Sequence, residues 1–271
     1  MEDAYKEREK SQSAELASEF IRNFLVGEAI PGIEAEYAFH QVIMKQISLD
    51  DVNQFARTIL VNQEPKLIVY QGNDKPDHVI PDSQELMEMV KRAEQVAVTA
   101  YTEKKTVATL MDAPPQAGSI INEVKDPKLG TTTWTLSNGV TLVMKPSDFK
   151  NDQILLGASR AGGMSMVADT DFLQARYATT IVGVMGMKDI APIELGKFLA
   201  GKNVSVSTKF GENFEGISGS SSKRDLETML QVIYLAMTAP RRDPALFQSF
   251  VGKQQDALRN QMASPFAVFQ D

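Results

Sequence analysis

Apolar residues recur at helical spacing near the start of the chain and predict an amphipathic helix that stops at Gly27. The charged run before it has no apolar signal core and is typical of the middle of such a helix. A second helix is expected after Pro31-Gly32, and a third after Ser48, where Asp51 lies three residues on in a variant of the capping box. The apolar positions of the first helix are Leu16, Phe20, Ile21, Phe24 and Leu25.

The segment "KLIVYQG" at 66–72 predicts a buried strand, because it is a short apolar run closed by glycine. Residues 1–76 therefore combine helices with a strand. Residues 77–130 have a different character, since turn-forming residues surround one mixed-charge helix in "QELMEMVKRAEQVAV". We expect this second stretch to be a linker that contains a helix.

Residues 131–271 predict two hairpins and several helices. Asn138-Gly139 lies between two alternating runs and is the strongest short signal for a hairpin. "DQILLGASRAGG" predicts a further strand, and Gly211-Glu212-Asn213 predicts the turn of the second hairpin. Helices are expected in "APIELGKFLAGK", "KRDLETMLQVIYLAMTAP" and "DPALFQSFVGKQQDALRNQMAS". This order favours an α+β fold, with a largely antiparallel sheet and helices packed on it.

The stretch "ASRAGGMSMVADTDFLQARYATTIVGVMGM" resembles the entrance to an active site, because a glycine-rich turn leads into an apolar helix. Yet no His, Glu, Cys or Lys lies between Asp171 and Met187. The residue types that bind metals or transfer protons are thus almost absent from this helix.

Composition narrows the function classes. The chain has 271 residues, 43% of them hydrophobic, which is enough for two domains or for parts of two. Its net charge of −7 argues against nucleic acid as a partner, because a phosphate backbone attracts positive surfaces. No apolar run reaches the roughly 20 residues that a membrane span needs. With no cysteine, the chain has neither disulfides nor thiolate metal sites.

Candidate metal ligands are sparse. His40 and His78 are 38 positions apart, whereas zinc sites usually include two ligands at close helical spacing. We expect both to be ordinary structural or surface residues. The carboxylate pairs Glu34/Glu36 and Asp50/Asp51 should be solvated, because close neighbours on a helix point to different faces.

The run "GSSSK" resembles a phosphate-binding loop but lacks the glycine that must precede the lysine. Lys223 here follows Ser222. We expect Ser222 to cap the next helix by accepting a hydrogen bond from the amide near Asp225. No self-sufficient catalytic centre is therefore predicted.

Several segments in order resemble the insulinase/pitrilysin family of zinc peptidases, and within it the bacterial periplasmic PqqL-like zinc proteases. They are "EFIRNFLVGEAIPGIEAEYAFHQVIMKQISLDDVNQFARTIL", "KLIVYQG", "WTLSNGVTLVMKPSDFKNDQILLGASRAGG" and "ELGKFLAGKNVSVSTKFGENFEGISGSSSKRDLETMLQVIYLAMTAPRRD". The resemblance covers nearly the whole chain, and it is carried by the order and spacing of segments rather than by one motif.

The resemblance implies LuxS/MPP-like α+β domains, four in the family, arranged in two halves that close around a peptide. In the family the first domain carries His-x-x-Glu-His, whose histidines bind zinc and whose Glu activates water. This chain would then be the middle portion of such a protein. Residues 1–76 would be the C-terminal part of the second domain, 77–130 a linker with a helix, and 131–271 a truncated, non-catalytic third domain.

The family's zinc helix has a counterpart here. Counting back from Gly186, its ligand positions fall near Tyr177, Thr180 and Ile181, and none of the three has the chemistry that the motif demands. We expect the helix to be sandwiched between the sheet and other helices. Its apolar residues are Phe172, Leu173, Ala178, Ile181, Val182 and Met185.

The resemblance implies a non-catalytic chamber wall and hinge of a zinc metalloendopeptidase. No catalytic, cofactor-binding or metal-binding residue is expected in this chain, and zinc is expected in the first domain of the parent protein. The partners would be the remaining domains and a peptide, in the periplasm, with 207–216 as a candidate chamber lining. The alternative is a catalytically inactive scaffold or partner-binding subunit of the family, and a third reading is a free-standing peptide-binding module.

Overall fold

The computed structural model describes residues 1–60, 67–72, 79–99, 101–102, 107–263 and 268–269. The chain divides into two units, one comprising Pro31–Lys104 with Met1 and the other comprising Glu2–Ile30 with Lys105–Asp271.

The helices are α1 Glu2–Lys6, α2 Ser13–Val26, α3 Ile33–Met44, α4 Leu49–Leu60, α5 Ser83–Gln95, α6 Phe172–Ala175, α7 Ala178–Met185, α8 Pro192–Leu199, α9 Leu226–Thr238 and α10 Pro244–Asn260. Short 3-10 turns span Arg8–Lys10, Gly163–Met166 and Gln261–Ala263. The strands are β1 Ile120–Asp126, β2 Thr131–Leu136, β3 Thr141–Met144, β4 Ile154–Ala161, β5 Val204–Phe210 and β6 Phe214–Ser221.

The first unit consists of α3, α4 and α5, and its helix starts are fixed by side-chain caps. Asp51 accepts hydrogen bonds from the Ser48 N–H (2.8 Å) and hydroxyl (2.6 Å), which confirms the predicted capping box. Asp82 caps α5 by accepting from the N–H groups of Gln84 and Glu85, each at 2.8 Å. Both caps satisfy amides that the first turn of a helix leaves without a partner.

The strand predicted at 66–72 is wrong for the residues that the structure describes there. Residues 67–72 form no strand, and Leu67 and Val69 are 89% and 69% exposed. A strand needs a neighbouring strand to satisfy its backbone, and every strand in the described ranges lies between Ile120 and Ser221, in the other unit. The apolar pattern alone could not reveal that the partner was missing.

The helix predicted at the start of the chain ends at Gly27 as expected, since Gly27 adopts a left-handed φ of +71° that closes α2. It is not continuous, however. The helix is interrupted between α1 and α2. The second helix begins near Gln12, whose N–H donates to the Glu15 carboxylate at 3.2 Å. This local capping pattern competes with helix continuation.

One sheet of the second unit is an antiparallel meander in the order β1-β2-β3. The predicted Asn138-Gly139 hairpin is confirmed: Gly139 has a φ of +85° and donates to the Leu136 carbonyl at 2.9 Å. β1 falls within the residues predicted as linker. The sequence of β1 does not predict a strand, because it lacks a clear alternation of apolar and polar residues. In the structure nearly all of β1 is exposed.

The other sheet has the order β4-β6-β5, and all its pairs are antiparallel. β5 and β6 form the predicted hairpin around Gly211–Asn213. β6 lies in the centre, so β5 pairs on one side only and forms an edge of this sheet.

The core of the second unit forms where α9 packs on β5 and β6. Met229 is fully buried, and Gly219 of β6 faces it without a side chain: a Cβ there would lie 2.8 Å from the Met229 sulfur. The buried cluster around α9 includes Val232 and Leu235 together with Leu110, which belongs to the predicted linker. The linker therefore contributes to the core at this point.

The start of α9 is anchored by a buried carboxylate. Ser222 accepts from the Asp225 N–H at 3.1 Å, as predicted, and its hydroxyl donates to the Asp225 carboxylate at 2.8 Å. The Asn203 N–H donates to the same carboxylate at 2.9 Å. Burial by itself raises the pKa of Asp225, but these hydrogen bonds and the Arg224 guanidinium outweigh it and hold the pKa below its ordinary value.

The architecture is mixed helix and antiparallel sheet, which confirms the α+β prediction at this level. Within the described residues, no helix is long and apolar enough to cross a lipid bilayer.

We expect Met229→Ala to lower the free energy of unfolding by about 2–5 kcal/mol, because it leaves a cavity under α9. Met237 lies on the same helix and is 69% exposed, so Met237→Ala is the matched control and should change stability by less than about 0.5 kcal/mol. Urea unfolding followed by circular dichroism measures both. Equal losses of unfolding free energy in the two variants would show that α9 does not pack on the sheet through Met229.

We expect Asp225→Asn to cost about 1–3 kcal/mol at neutral pH, because buried donors lose a charged acceptor. A carboxyl whose pKa is lower in the folded state contributes stability above its unfolded pKa near 4 and loses it as pH falls. The stability difference between wild type and variant should therefore shrink below about pH 4. A difference that stays constant from pH 7 to pH 3 would contradict the assignment, and Asp256→Asn on exposed α10 is the control.

Candidate functional site

The glycine-rich turn before α6 is built by contact with the second hairpin. The N–H groups of Gly162, Met164 and Ser165 donate to the carbonyls of residues 213, 211 and 212 at 2.8–3.1 Å. Gly163 has a φ of +72°, and a Cβ on it would lie 2.3 Å from the Gly211 carbonyl oxygen. The amides that could have bound a phosphate or an oxyanion are thus used to join two turns.

The apolar stretch after this turn is two short helices. α6 and α7 are separated at Arg176 and Tyr177. The Tyr177 ring packs edge-on against Phe250 of α10, with ring centroids 6.4 Å apart. α7 ends at Gly186, whose φ of +83° brings the backbone close to the Ile190 carbonyl.

The prediction that this stretch is sandwiched on all sides is wrong. Met185 is buried and Ile181 and Val182 are half-buried, but Leu173 is 71% exposed. The break at residues 176–177 explains the difference, because α7 packs beside β5 and α10 whereas Leu173 of α6 remains largely exposed. Ala178 and Phe172 are also exposed.

The three positions that correspond to the zinc motif carry a phenol, a hydroxyl and a hydrocarbon. Tyr177 is 39% exposed, Thr180 is exposed and Ile181 is half-buried. A phenol and a threonine hydroxyl are poor zinc ligands, and isoleucine is none. The arrangement does not fit a zinc ion.

A groove of about 560 Å³ runs between α7, α8, α9 and the edge strand β5. Its floor is aliphatic, with Leu195, Leu199 and Val232 among the lining residues. Its polar side chains are hydroxyls, namely Thr179, Thr180, Ser205, Ser207 and Thr208. None of the described residues that line this groove has an ionisable side chain. The groove can bind by shape and hydrogen bonds, but it offers no group to activate a nucleophile.

The other candidates do not assemble into a site. His40 is exposed on α3, and His78 lies outside the described residues. Asp50 and Asp51 are exposed at the start of α4, where Asp51 serves as a cap. Across the described ranges, no group of three or more His, Cys, Asp or Glu side chains is arranged to hold a metal ion.

The comparisons with known proteins point to zinc proteases. No protein-family model matches the chain. A "Zinc protease PQQL-like" of Arabidopsis thaliana is 26% identical over 273 residues, which cover 99% of this chain and 26% of the relative. A "Probable zinc protease PqqL" of Haemophilus influenzae is 22% identical over 239 residues, which cover 88% of this chain and 26% of the relative. This chain therefore spans about a quarter of the length of these relatives.

A solved structure supports the same relationship at the level of the fold. The crystal structure of the periplasmic protease PqqL from Escherichia coli matches with a TM-score of 0.50 and 17% identity, over 99% of this chain and 30% of that chain. The predicted resemblance to PqqL-like zinc proteases is thus confirmed: the chain is similar in sequence to two proteins of this kind and in fold to a third.

Proposed function

We propose that this chain is a non-catalytic part of a zinc metalloendopeptidase, where it forms a wall of the peptide chamber and the hinge beside it. The observation that carries the proposal is the groove along β5, whose described lining residues include hydroxyls and aliphatic groups but no acid or base. Such a surface suits an extended peptide, because β5 is an edge strand and its outer backbone groups can pair with another strand.

The hydrolytic chemistry belongs, in this proposal, to another part of the polypeptide. A zinc ion bound by His-x-x-Glu-His in the first domain would polarise the peptide carbonyl and the Glu would activate water. The curated relatives are nearly four times as long as the region they share with this chain, which leaves room for that domain. The present chain would contribute peptide contacts and no reacting group.

The proposal keeps the domain division predicted from the sequence. Residues 1–76 would end a second LuxS/MPP-like domain, 77–130 would be the linker with α5, and 131–271 would be a truncated third domain. Among the residues that the structure describes, every strand lies after residue 119, and α3 and α4 have exposed apolar faces; both observations support an incomplete first part. The periplasm is the proposed compartment, by analogy with the relative whose structure is described as periplasmic.

The scaffold alternative assigns the same groove to a partner protein in a complete polypeptide without the zinc motif. The sequence upstream of this chain discriminates the two, since a peptidase needs His-x-x-Glu-His there. The free-standing peptide-binding module would instead show a defined peptide affinity for this chain alone, which calorimetry measures.

We expect Ser207→Trp, placed in the complete polypeptide, to raise the KM for a quenched peptide substrate about tenfold or more, because the indole fills the groove beside β5. The kcat and the zinc content should change much less, since the groove holds no reacting group. Steady-state kinetics and metal analysis measure these quantities.

Ser159→Trp is the matched control, because Ser159 is an exposed serine on β4 of the same sheet and does not line the groove. Equal effects of the two tryptophans on KM would contradict the chamber-wall proposal. A loss of zinc in Ser207→Trp alone would also contradict it, since the metal would then depend on this groove.

A further inference from the structure

The segment Glu2–Lys10, here called the strap, carries a polar stripe on one side. Asp3, Lys6, Glu7 and Lys10 follow the i, i+3, i+4, i+7 spacing of a single helix face. Lys6, Glu7 and Lys10 are half-buried, whereas Glu9 between them is exposed. The side chains of the stripe are therefore the ones in contact with the rest of the unit.

Glu7 is the centre of these contacts. Its two carboxylate oxygens accept from the Asn151 N–H at 2.9 Å and from the Asp152 N–H at 2.7 Å. The Asn151 amide group donates in return to the Lys6 carbonyl at 2.8 Å. Burial by itself raises the pKa of Glu7, but the two backbone donors outweigh it, so the pKa is lowered and the charged acceptor is favoured.

Asp152 links the strap to the start of α9. It accepts from the Lys6 ammonium at 2.9 Å and from the Lys223 N–H at 2.9 Å. The Lys6 ammonium and the Lys223 N–H together hold the pKa of Asp152 below its ordinary value. The Asp152 side chain is 15% exposed, so this ion pair is better shielded from water than an ordinary surface pair.

Both ends of the strap are also held. The Lys10 ammonium donates to the Asp148 carbonyl at 2.7 Å, and the Lys150 ammonium donates to the Lys10 carbonyl at 3.3 Å. At the other end the Asn203 side chain donates to Asp3 at 2.7 Å. Partners from two separate places in the sequence, residues 148–152 and Asn203, thus converge on nine residues.

The surface that faces the strap is mainly polar. A cavity of about 440 Å³ lies there, lined by Asp3 and Glu7 of the strap and by Ser220 and Ser221 of β6, among others. Because most of the described residues that line this space are polar, we infer that the strap is held chiefly by its hydrogen bonds and ion pair.

We propose that Asp148–Asp152, Asn203 and Lys223 form a docking surface for a short helical segment with an acid–Lys–Glu–Lys stripe, and that its occupant is the chain's own strap. Docking makes residues 2–30 part of the second unit. In the sequence, Pro31–Lys104 lies between the two parts of that unit.

Glu7→Gln in the full chain tests the docking, with Glu9→Gln as the matched control on the same segment. The glutamine side chain is uncharged and has a single acceptor oxygen. It therefore cannot replace the two carboxylate oxygens of Glu7 that accept from the two backbone N–H groups. We expect amide exchange at Asn151 and Asp152 to become about tenfold faster in Glu7→Gln and to change less than about twofold in Glu9→Gln. Exchange is measured by NMR, with circular dichroism to confirm that helix content is unchanged.

Tryptic cleavage after Lys10 provides the second measurement, because a protease needs the strap to leave its surface. We expect cleavage to accelerate by a similar factor in Glu7→Gln and not in Glu9→Gln. Equal cleavage rates in the two variants would overturn the proposal. Faster exchange with unchanged cleavage would overturn it too, since the strap would then stay docked without its central contact.

Discussion

The contact between Gly219 and Met229 is the constraint on which the second unit depends. A Cβ at residue 219 would lie 2.8 Å from the methionine sulfur, so the buried Met229 side chain would have to shift to admit any residue other than glycine. The position of α9 in turn fixes one wall of the groove, and the Asp225 carboxylate at its start connects β5 to the end of β6. The groove and the core of the second unit thus share one support.

The groove has the shape of a binding site and the composition of a packing surface. Enzymes that hydrolyse peptides need an activated water or a nucleophile, and both need an ionisable group or a metal. The described lining of this groove supplies hydroxyls and aliphatic side chains. Two observations support the proposed role as a chamber wall rather than as a catalytic centre. The chain is similar to PqqL-like zinc proteases, and the described lining of its groove has no ionisable side chain.

The features predictable from sequence were those decided by local geometry. The Asn138-Gly139 hairpin, the Ser48–Asp51 capping box and the hydrogen bond from the Asp225 N–H to Ser222 each depend on residues within a few positions, and all three are confirmed. Ser222 is not the N-cap of α9, however, because the helix begins only at Leu226, after Asp225. The strand at 66–72 failed because a strand depends on a partner that its own sequence cannot specify. The prediction of a sandwiched helix failed because the stretch is divided at Arg176 and Tyr177, where Tyr177 packs against Phe250, 73 positions later in the chain.

The sequence predicts the strap only in part. Its i, i+3, i+4, i+7 polar stripe is visible in the sequence, but its partners lie roughly 140 to 200 positions away, and charge pairs are equally common on solvated helices. Likewise, the unsuitability of Tyr177, Thr180 and Ile181 as ligands could be predicted from residue type. The hydroxyl-lined groove beside them could not, because it forms where three helices and a distant strand meet.

The central claim is that the position of the zinc helix is filled here by groups that do not bind metal, so that hydrolysis must be supplied by another part of the protein. Zinc titration of the purified chain by calorimetry, followed by incubation with a quenched peptide, tests it most directly. The account predicts no stoichiometric zinc binding and no cleavage. One equivalent of tightly bound zinc, or zinc-dependent turnover by the chain alone, would contradict it.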